Sequence, residues 1–99
     1  MRRFSPGEVF AQPIGVTPPK RFVYVLRSEP DPNRYYTGLT SNVVARLEAH
    51  NAGRCSHTAK GRPWRVDVVM EFANEERAVR FERYLKSGSG NAFAKRHLR

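Results

Sequence analysis

Two short tyrosine-containing segments separated by a polar break constrain this chain more than any other feature. Residues 22–26 read Phe-Val-Tyr-Val-Leu, and residues 35–40 read Tyr-Tyr-Thr-Gly-Leu-Thr. β-Branched and aromatic residues are typical of strands, whereas the break contains prolines, an aspartate and an asparagine, which are typical of turns. The pattern predicts a hairpin that brings Tyr24 and Tyr36 within reach of each other. Gly38 permits a bulge or a close approach there.

A short amphipathic helix is predicted directly after this hairpin. Asn42 offers an N-cap and Gly53 a C-terminal signal, which gives a helix of about nine residues. Its apolar face is expected to consist of Val43, Val44 and Leu47. Arg46 and His50 are one turn apart on the flank of that face, so they can face a cleft rather than bulk solvent.

The second half of the chain predicts a third strand and further helices. Residues 64–72 alternate well enough for a strand. Its apolar face is expected to carry Trp64, Val66, Val68 and Met70. Asn74 caps the next helix, which ends near residues 86–88, and a short segment follows from Gly90. Together these elements predict an α+β fold: a small three-stranded, mostly antiparallel sheet flanked by helices.

The first part of the chain differs in composition from the rest. Residues 1–20 hold four of the seven prolines and show little periodicity, which predicts an irregular N-terminal arm. The folded domain is expected over residues 21–97. A total of 99 residues without internal repeats predicts a single domain with a modest core.

The chain is strongly basic, with 18 lysines and arginines against nine acidic residues and a net charge of +9. A field of this sign attracts polyanions, so nucleic acid is the expected partner. No apolar run approaches the roughly 20 residues that a membrane span requires, and no membrane partner is expected. The single cysteine, Cys55, provides no disulfide framework, which favours a reducing, cytoplasmic location.

One carboxylate lies where an apolar residue is expected. In the second predicted helix, Glu82 falls within the apolar arc of Ala78, Phe81 and Leu85. An isolated buried carboxylate is costly, so Glu82 should be paired, protonated or bound to a metal ion. Lys86, one turn later, offers a partner that would leave Glu82 at the rim of the core.

The order of these features is similar to that of one family of nucleases. Val23-Tyr24-Val25 and Tyr36-Thr37-Gly38 resemble the two paired tripeptides of the GIY-YIG nuclease superfamily, although the first lacks its glycine and the second has threonine at its centre. Both departures spare the tyrosines. The resemblance covers roughly residues 21 to 97 and is closest to small standalone members.

The later parts of the family pattern are matched in order. A helix with an arginine and, one turn later, often a histidine corresponds to Arg46 and His50. A glutamate on a later helix corresponds to Glu82, and a polar residue that follows it corresponds to Asn91. The catalytic residues that the resemblance implies are Tyr24, Tyr36, Arg46, His50, Glu82 and Asn91.

The resemblance also implies a role for most of these residues. Glu82 would bind Mg²⁺ or Mn²⁺, and Arg46 would bind phosphate oxygens through its planar, charged fork. Tyr24 is the candidate general base or orients the attacking water. Tyr36 would hydrogen-bond water or phosphate, and His50 would pair with a tyrosine hydroxyl or with the scissile phosphate. Because a tyrosine pKa is about 10, nearby cations would have to lower the pKa of Tyr24.

Structural interpretations of the same residues stay open at this point. Tyr24 and Tyr36 can simply pack across the hairpin, and His50 can be a surface residue on a helix flank. Asn91 after Gly90 is also ordinary turn chemistry. A zinc site formed by His50, Cys55 and His57 would fit no structural zinc spacing.

Several basic residues outside this set are candidates for contact with backbone phosphates. The candidate nucleic-acid-binding residues are Arg54, His57, Lys60, Arg62 and Lys86. All but Lys86 belong to a loop rich in glycine, serine and basic residues. A protein partner or a dimer would help to target the domain, because a separate DNA-binding domain of the kind found in larger family members is not seen in this sequence.

The sequence therefore predicts a metal-dependent endonuclease that hydrolyses DNA, with selectivity for DNA structure and with RNA as an open possibility. One alternative is a non-catalytic basic module that binds nucleic acid with the same fold. A second is a structural or regulatory domain whose activity depends on a larger assembly.

Overall fold

A computed structural model describes residues 17–99, and residues 1–16 of the predicted N-terminal arm (1–20) lie outside the described residues. The strands are β1 (Phe22–Ser28), β2 (Tyr35–Thr40) and β3 (Trp64–Glu71). The α-helices are α1 (Val43–Asn51), α2 (Glu75–Leu85) and α3 (Gly88–His97). The three antiparallel strands and their flanking helices confirm the predicted α+β fold. Within the described part, no helix combines the length and the apolar character that crossing a bilayer requires.

Strand β1 is the centre of the sheet, whose order is β2-β1-β3, and it pairs antiparallel with both neighbours. Residues 23–26 are all buried, so both faces of this strand are covered. In the hairpin, Tyr24 pairs with Gly38 and Leu26 pairs with Tyr36. The two tyrosines are therefore diagonal neighbours on one face, with ring centroids 6.3 Å apart, which confirms the predicted hairpin.

An extra residue in β3 changes the predicted faces of that strand. Val25 pairs with Val68, whereas the next residue, Leu26, pairs with Val66, so Asp67 has no partner in the ladder. Successive residues of β1 point to opposite faces, and Val66 and Val68 therefore lie on opposite faces as well. The predicted shared face of Trp64, Val66, Val68 and Met70 is wrong. Strict alternation fails because the exposed Asp67 is accommodated as a bulge.

Each face of the sheet has its own apolar cluster. On one face the buried residues, from β1, α2 and α3, are Val23, Ala78, Leu85 and Ala94. On the other face the buried residues are Tyr24, Leu26 and Trp64, with Val43 and Leu47 of α1 packed against them. The sheet thus separates α1 from the pair α2 and α3, and β1 contributes to both clusters.

Helix α1 begins and ends as predicted. The Asn42 side chain accepts a hydrogen bond from the backbone N–H of Ala45. Gly53, just past the helix, has a φ of 79°, a conformation that favours glycine. The Arg54 N–H donates back to the Ala49 carbonyl across this glycine, which satisfies an otherwise unpaired carbonyl in the last turn.

The buried stripe of α1 differs from the predicted one. Val44 is 67% exposed, whereas His50 is fully buried. Val43, Leu47 and His50 follow one another at spacings of four and three residues and face the sheet together. The predictions that Val44 is buried and that His50 lies on the flank are therefore wrong. The predicted apolar arc included Val44, which lies about 100° from Val43 around the helix. The residues that face the sheet are instead Val43, Leu47 and His50.

Helices α2 and α3 follow each other closely. The Asn74 side chain accepts from the Arg77 N–H, and α2 ends at its C-cap, Lys86, as predicted. Ser87 then caps α3 by accepting from the Gly90 N–H. Asn91 lies inside α3, so the interpretation of Asn91 as a turn residue is wrong.

The contact between these helices requires a glycine at position 90. A Cβ at Gly90 would overlap the carbonyl oxygen of Tyr84 in the preceding helix. We expect Gly90→Ala to lower the free energy of unfolding by about 2 kcal/mol or more, because the backbones of α2 and α3 must move apart. Urea denaturation followed by circular dichroism measures this change.

Gly88→Ala is the matched control, because a Cβ at Gly88 meets no atom within 4 Å. It should leave the free energy of unfolding within about 0.5 kcal/mol of the original value, or raise it, since alanine restricts the unfolded chain. Equal destabilisation by the two substitutions would contradict the role given to Gly90.

Candidate active site

Tyr24 and His50 form the buried centre of the site. The Tyr24 hydroxyl lies 2.9 Å from Nε2 of His50, and the two residues are 1% and 0% exposed. Strand β1 carries Tyr24, and the last turn of α1 carries His50, because α1 packs on this face of the sheet. The expected pairing of His50 with a tyrosine hydroxyl is therefore made to Tyr24.

Gly38 leaves the space that the Tyr24 phenol occupies. The two residues are partners across the hairpin, and a Cβ at Gly38 would overlap the Tyr24 hydroxyl. The predicted close approach at Gly38 is made by this side chain. Glycine at this position therefore allows Tyr24 to lie flat against β2 and reach His50.

Tyr36 lies between the buried pair and the surface. Its ring centroid is 4.8 Å from that of His50 and 6.3 Å from that of Tyr24. The Lys86 ammonium lies over the Tyr36 ring, 5.5 Å from its centroid. Tyr36 is half-buried, so one part of its ring packs in the core and another lines a cleft.

Burial and the charge of Arg46 together shift the pKa values of Tyr24 and His50. Burial raises the pKa of Tyr24 above its usual 10, and the guanidinium of Arg46 offsets only part of that rise. The pKa of His50 is lowered from its usual 6.5, first by burial and then by the charge of Arg46. At neutral pH the site therefore holds a protonated Tyr24 and a neutral His50.

This result corrects one expectation about Tyr24. Nearby cations were expected to lower the pKa of this tyrosine, and Arg46 does act in that direction. Burial is the larger effect, however, and the net change is a rise. A buried phenol loses hydration that its charged form needs, so proximity to one guanidinium is not enough to make it acidic.

Glu82 and Asn91 belong to the outer part of the site. Glu82 forms an ion pair of 2.9 Å with Lys86, the partner that the sequence offered, and the Glu82 side chain is 17% exposed. A cleft of about 270 Å³ is lined by Tyr36, Lys86 and Asn91, among others. Helices α2 and α3 thus place their polar residues at the β2 edge of the sheet, next to the tyrosine that contacts His50.

The loop between α1 and β3 closes the other side of the site. Its basic residues, Arg54, His57, Lys60 and Arg62, are all exposed. Thr58, by contrast, is 1% exposed and lies with its Oγ1 2.7 Å from Nδ1 of His50. The loop therefore points one side chain into the buried centre while its positive charges face solvent beside it.

A family model described as the GIY-YIG catalytic domain matches residues 20–96 of the chain. The chain belongs to the GIY-YIG family. The resemblance seen in the sequence is therefore confirmed at the level of the family.

The GIY-YIG chain has relatives of two kinds. It is 33% identical over 89 residues to the structure-specific endonuclease subunit SLX1 of Meyerozyma guilliermondii, covering 83% of this chain and 28% of that protein. The same subunit of Scheffersomyces stipitis is 38% identical, covering 82% of this chain and 26% of that protein. The UPF0213 protein SH2523 of Staphylococcus haemolyticus is 38% identical over 71 residues, covering 71% of this chain and 84% of that protein.

The two kinds of relative differ in how much of their own length this chain covers. The chain spans about a quarter of the length of the two SLX1 subunits, but most of the small UPF0213 protein. No solved structure matches the chain at a significant level.

A GIY-YIG domain raises the question of a divalent cation, and the outer part of the site fits one. The Glu82 side chain is partly exposed, and its Oε2 is paired with Lys86, which lines the cleft. Within residues 17–99, no three side chains of His, Cys, Asp or Glu are grouped as a metal cage. A single carboxylate suits Mg²⁺, which keeps several waters and is commonly bound through one or two carboxylates and substrate phosphates.

The structure adds one residue to the predicted set, Thr58, and one contact of a predicted residue, Lys86. Thr58 was not singled out, because a threonine in a polar loop carries no periodic or motif signal. Lys86 was predicted only as a nucleic-acid contact and as a partner of Glu82, whereas it also covers the ring of Tyr36. Fixed spacing after His50 would not have identified Thr58, since the contact depends on how the loop folds back.

The buried His50 makes stability depend on pH. The unfolded chain binds a proton on His50 near its usual pKa of 6.5, whereas the folded chain does so only at lower pH. The unfolded state therefore binds more protons just below pH 6.5, and the free energy of unfolding should fall as pH falls through this range. Urea denaturation at pH 7.5 and at pH values down to 5.5 measures the decrease.

His50→Gln should remove this part of the pH dependence. His57→Gln is the control, because His57 is exposed in the loop and should leave the slope unchanged. A slope that His57→Gln removes and His50→Gln retains would contradict the assignment.

Proposed function

We propose that this protein is a metal-dependent endonuclease that hydrolyses phosphodiester bonds of DNA. The observation that carries the proposal is the hydrogen bond between a protonated Tyr24 and a neutral His50 beside the charge of Arg46. A buried tyrosine hydroxyl needs a hydrogen-bond partner in any case, but here that partner is a neutral imidazole, which can take the phenol proton as well as share it. That property would allow the pair to remove a proton from a water molecule.

In this mechanism Tyr24 and His50 move protons in sequence. The Tyr24 oxygen accepts a proton from the attacking water while its own proton passes to Nε2 of His50, 2.9 Å away. The raised pKa of Tyr24 then does not prevent it from acting, because it need not exist as a free phenolate. The water oxygen forms a bond to phosphorus, and the bond from phosphorus to the leaving oxygen breaks.

Arg46, Tyr36 and Lys86 hold the phosphate in the proposed site. Arg46 is positively charged at every relevant pH, and its fork matches two phosphate oxygens. Tyr36 and Lys86 line the cleft that the phosphate would enter. Developing negative charge is stabilised there by cations that are already in position, which is the main source of catalysis in such sites.

Glu82 is the proposed ligand of Mg²⁺ or Mn²⁺. When bound, the cation would neutralise charge on the phosphate and assist departure of the leaving oxygen. Glu82 would then replace its ion pair with Lys86 by contact with the cation. Lys86 would become free to contact a phosphate. Asn91, exposed at the cleft that Lys86 also lines, would orient the substrate.

The proposed substrate is DNA with a branch or another departure from a regular duplex. The SLX1 relatives are described as subunits of structure-specific endonucleases, and their similarity covers more than four-fifths of this chain. The same description supports the proposal that a protein partner contributes to targeting. The exposed basic loop beside the site supplies contacts to backbone phosphates without reading sequence.

Cleavage of labelled duplexes, single strands, flaps and four-way junctions tests the proposal, with Mg²⁺, Mn²⁺ or EDTA. Tyr24→Phe, Arg46→Lys and Glu82→Gln should each lower kcat on the order of 100-fold or more, because each removes a group that acts on the reacting atoms. Binding of DNA should change much less. RNA strands in the same panel decide whether the site discriminates between the two nucleic acids.

Glu76→Gln and Tyr84→Phe are the matched controls, because both residues are exposed on α2 outside the cleft. They should cut at the original rate. Tight, salt-sensitive binding without cutting would favour the non-catalytic module, and cutting that appears only with a partner would favour the assembly-dependent domain. Cutting that survives all three site substitutions would show that the site is wrongly assigned.

The loop makes a separate prediction about binding. Replacing Arg54 and Lys60 together by Gln should weaken DNA binding and lower the slope of log Kd against log salt by about 1 to 2, because two phosphate contacts are lost. The rate of cutting at saturating DNA should stay close to the original. Fluorescence anisotropy over a range of salt concentrations measures the slope.

Arg77→Gln with Arg80→Gln is the matched control for charge. Both arginines are exposed on α2 beside Phe81 and Tyr84, away from the loop. The same loss of two charges at this place should have a smaller effect on the slope. Equal effects of the two pairs would mean that binding follows net charge and not the loop.

A further inference from the structure

A chain of buried hydrogen bonds continues from His50 into the loop. Nδ1 of His50 lies 2.7 Å from Oγ1 of Thr58, and Oγ1 lies 3.3 Å from the backbone carbonyl of Cys55. The Thr58 carbonyl in turn accepts from the indole N–H of Trp64 at 2.7 Å. Thr58 is 1% exposed and Trp64 3%, so the arrangement is enclosed by protein.

The last acceptor in this series of hydrogen bonds fixes which group donates in each of them. The Cys55 carbonyl can only accept, so the Thr58 hydroxyl donates to it and Oγ1 is left to accept from His50 Nδ1–H. Nε2 of the neutral imidazole then carries no proton and accepts from the Tyr24 hydroxyl. Every donor in this order has an acceptor.

The opposite direction leaves a proton without a partner. If Thr58 donated to Nδ1, His50 would donate from Nε2 to Tyr24. The phenol proton of Tyr24 would then lose the acceptor that the structure shows for it, and the neighbouring Arg46 can only donate. A buried hydroxyl without an acceptor is costly, so the first direction is the stable one.

We infer that Thr58 is a positioning residue that holds His50 in the tautomer with the proton on Nδ1. In this tautomer Nε2 has a free lone pair directed at the Tyr24 hydroxyl. Nε2 is the atom that takes the phenol proton in the proposed mechanism. Thr58 touches neither water nor phosphate and acts through His50. The assignment of the tautomer follows from the hydrogen bonds alone, whereas its catalytic consequence rests on the proposed function.

The loop that binds DNA would thereby also set the proton acceptor. Thr58 belongs to the segment that carries Arg54, His57 and Lys60 on its outer side. Trp64, at the start of β3, anchors this segment through the Thr58 carbonyl, and Asn51 accepts from the Trp64 N–H at 2.6 Å. The loop geometry around His50 is therefore fixed by β3 and the end of α1.

Thr58→Val and Thr58→Ser separate the hydroxyl from the packing of the side chain. Valine keeps the shape and removes the oxygen, while serine keeps the oxygen. Long-range ¹⁵N–¹H correlation spectra of the labelled proteins report which imidazole nitrogen carries the proton, and the absence of one signal in His50→Gln identifies His50. Thermal unfolding of each variant establishes that it is folded under the conditions of measurement.

The wild-type spectrum should show His50 with a protonated Nδ1 and an unprotonated Nε2 at pH 7.5. Thr58→Ser should keep this pattern, whereas Thr58→Val should shift the population towards the other tautomer. On a DNA substrate that is cut, Thr58→Val should lower kcat by about 10- to 100-fold with little change in KM, and Thr58→Ser should restore most of the loss.

Three results would overturn the inference. They are a wild-type His50 with the proton on Nε2, a Thr58→Val spectrum with the wild-type pattern, and a changed tautomer with unchanged kcat. The first two concern the tautomer and the third concerns its role. A wild-type protein that cuts no substrate would contradict the proposed function instead, and the spectra would still decide whether Thr58 sets the tautomer.

Discussion

The hydrogen bond between Tyr24 and His50 is the interaction on which the site depends. It lies at the interface between the sheet and α1, where both side chains are almost completely enclosed. A polar pair at such a place must be fully satisfied, because an unpaired hydroxyl or imidazole in the interior would destabilise the fold. The same requirement for satisfied hydrogen bonds that stabilises the core therefore fixes the geometry of the two groups that the proposed mechanism uses.

The rest of the site is assembled around the edge of the sheet and not on one face of it. The buried pair belongs to the face covered by α1, while Glu82 and Asn91 come from helices that pack on the other face. Strand β2 is an edge strand, so side chains from both layers can reach round it, and Lys86 over the Tyr36 ring is where they meet. A candidate site at an edge remains open to the large substrate that is proposed for it.

Local chemistry in the sequence was enough to predict the elements, whereas the set of candidate catalytic residues came from the resemblance to the family. The hairpin, the caps at Asn42 and Asn74 and the pairing of Glu82 with Lys86 all depend on neighbours within a few residues, and the structure has each of them. The failures have non-local causes. The face of Val66 changes because of a bulge against β1, and the burial of His50 depends on how α1 is turned against the sheet. Thr58 reaches His50 only because the loop folds back, which no spacing in the sequence specifies.

The central position of β1 has a consequence for how the domain unfolds. Val23 belongs to one apolar cluster and Tyr24 and Leu26 to the other, so neither cluster survives if this strand leaves the sheet. Opening of either half exposes apolar surface in both, which makes partial unfolding nearly as costly as complete unfolding. The backbone amides of β1 should therefore exchange with solvent only through global unfolding. Cooperativity of this kind gives a small domain with a modest core a Tyr24–His50 pair that is present whenever the chain is folded.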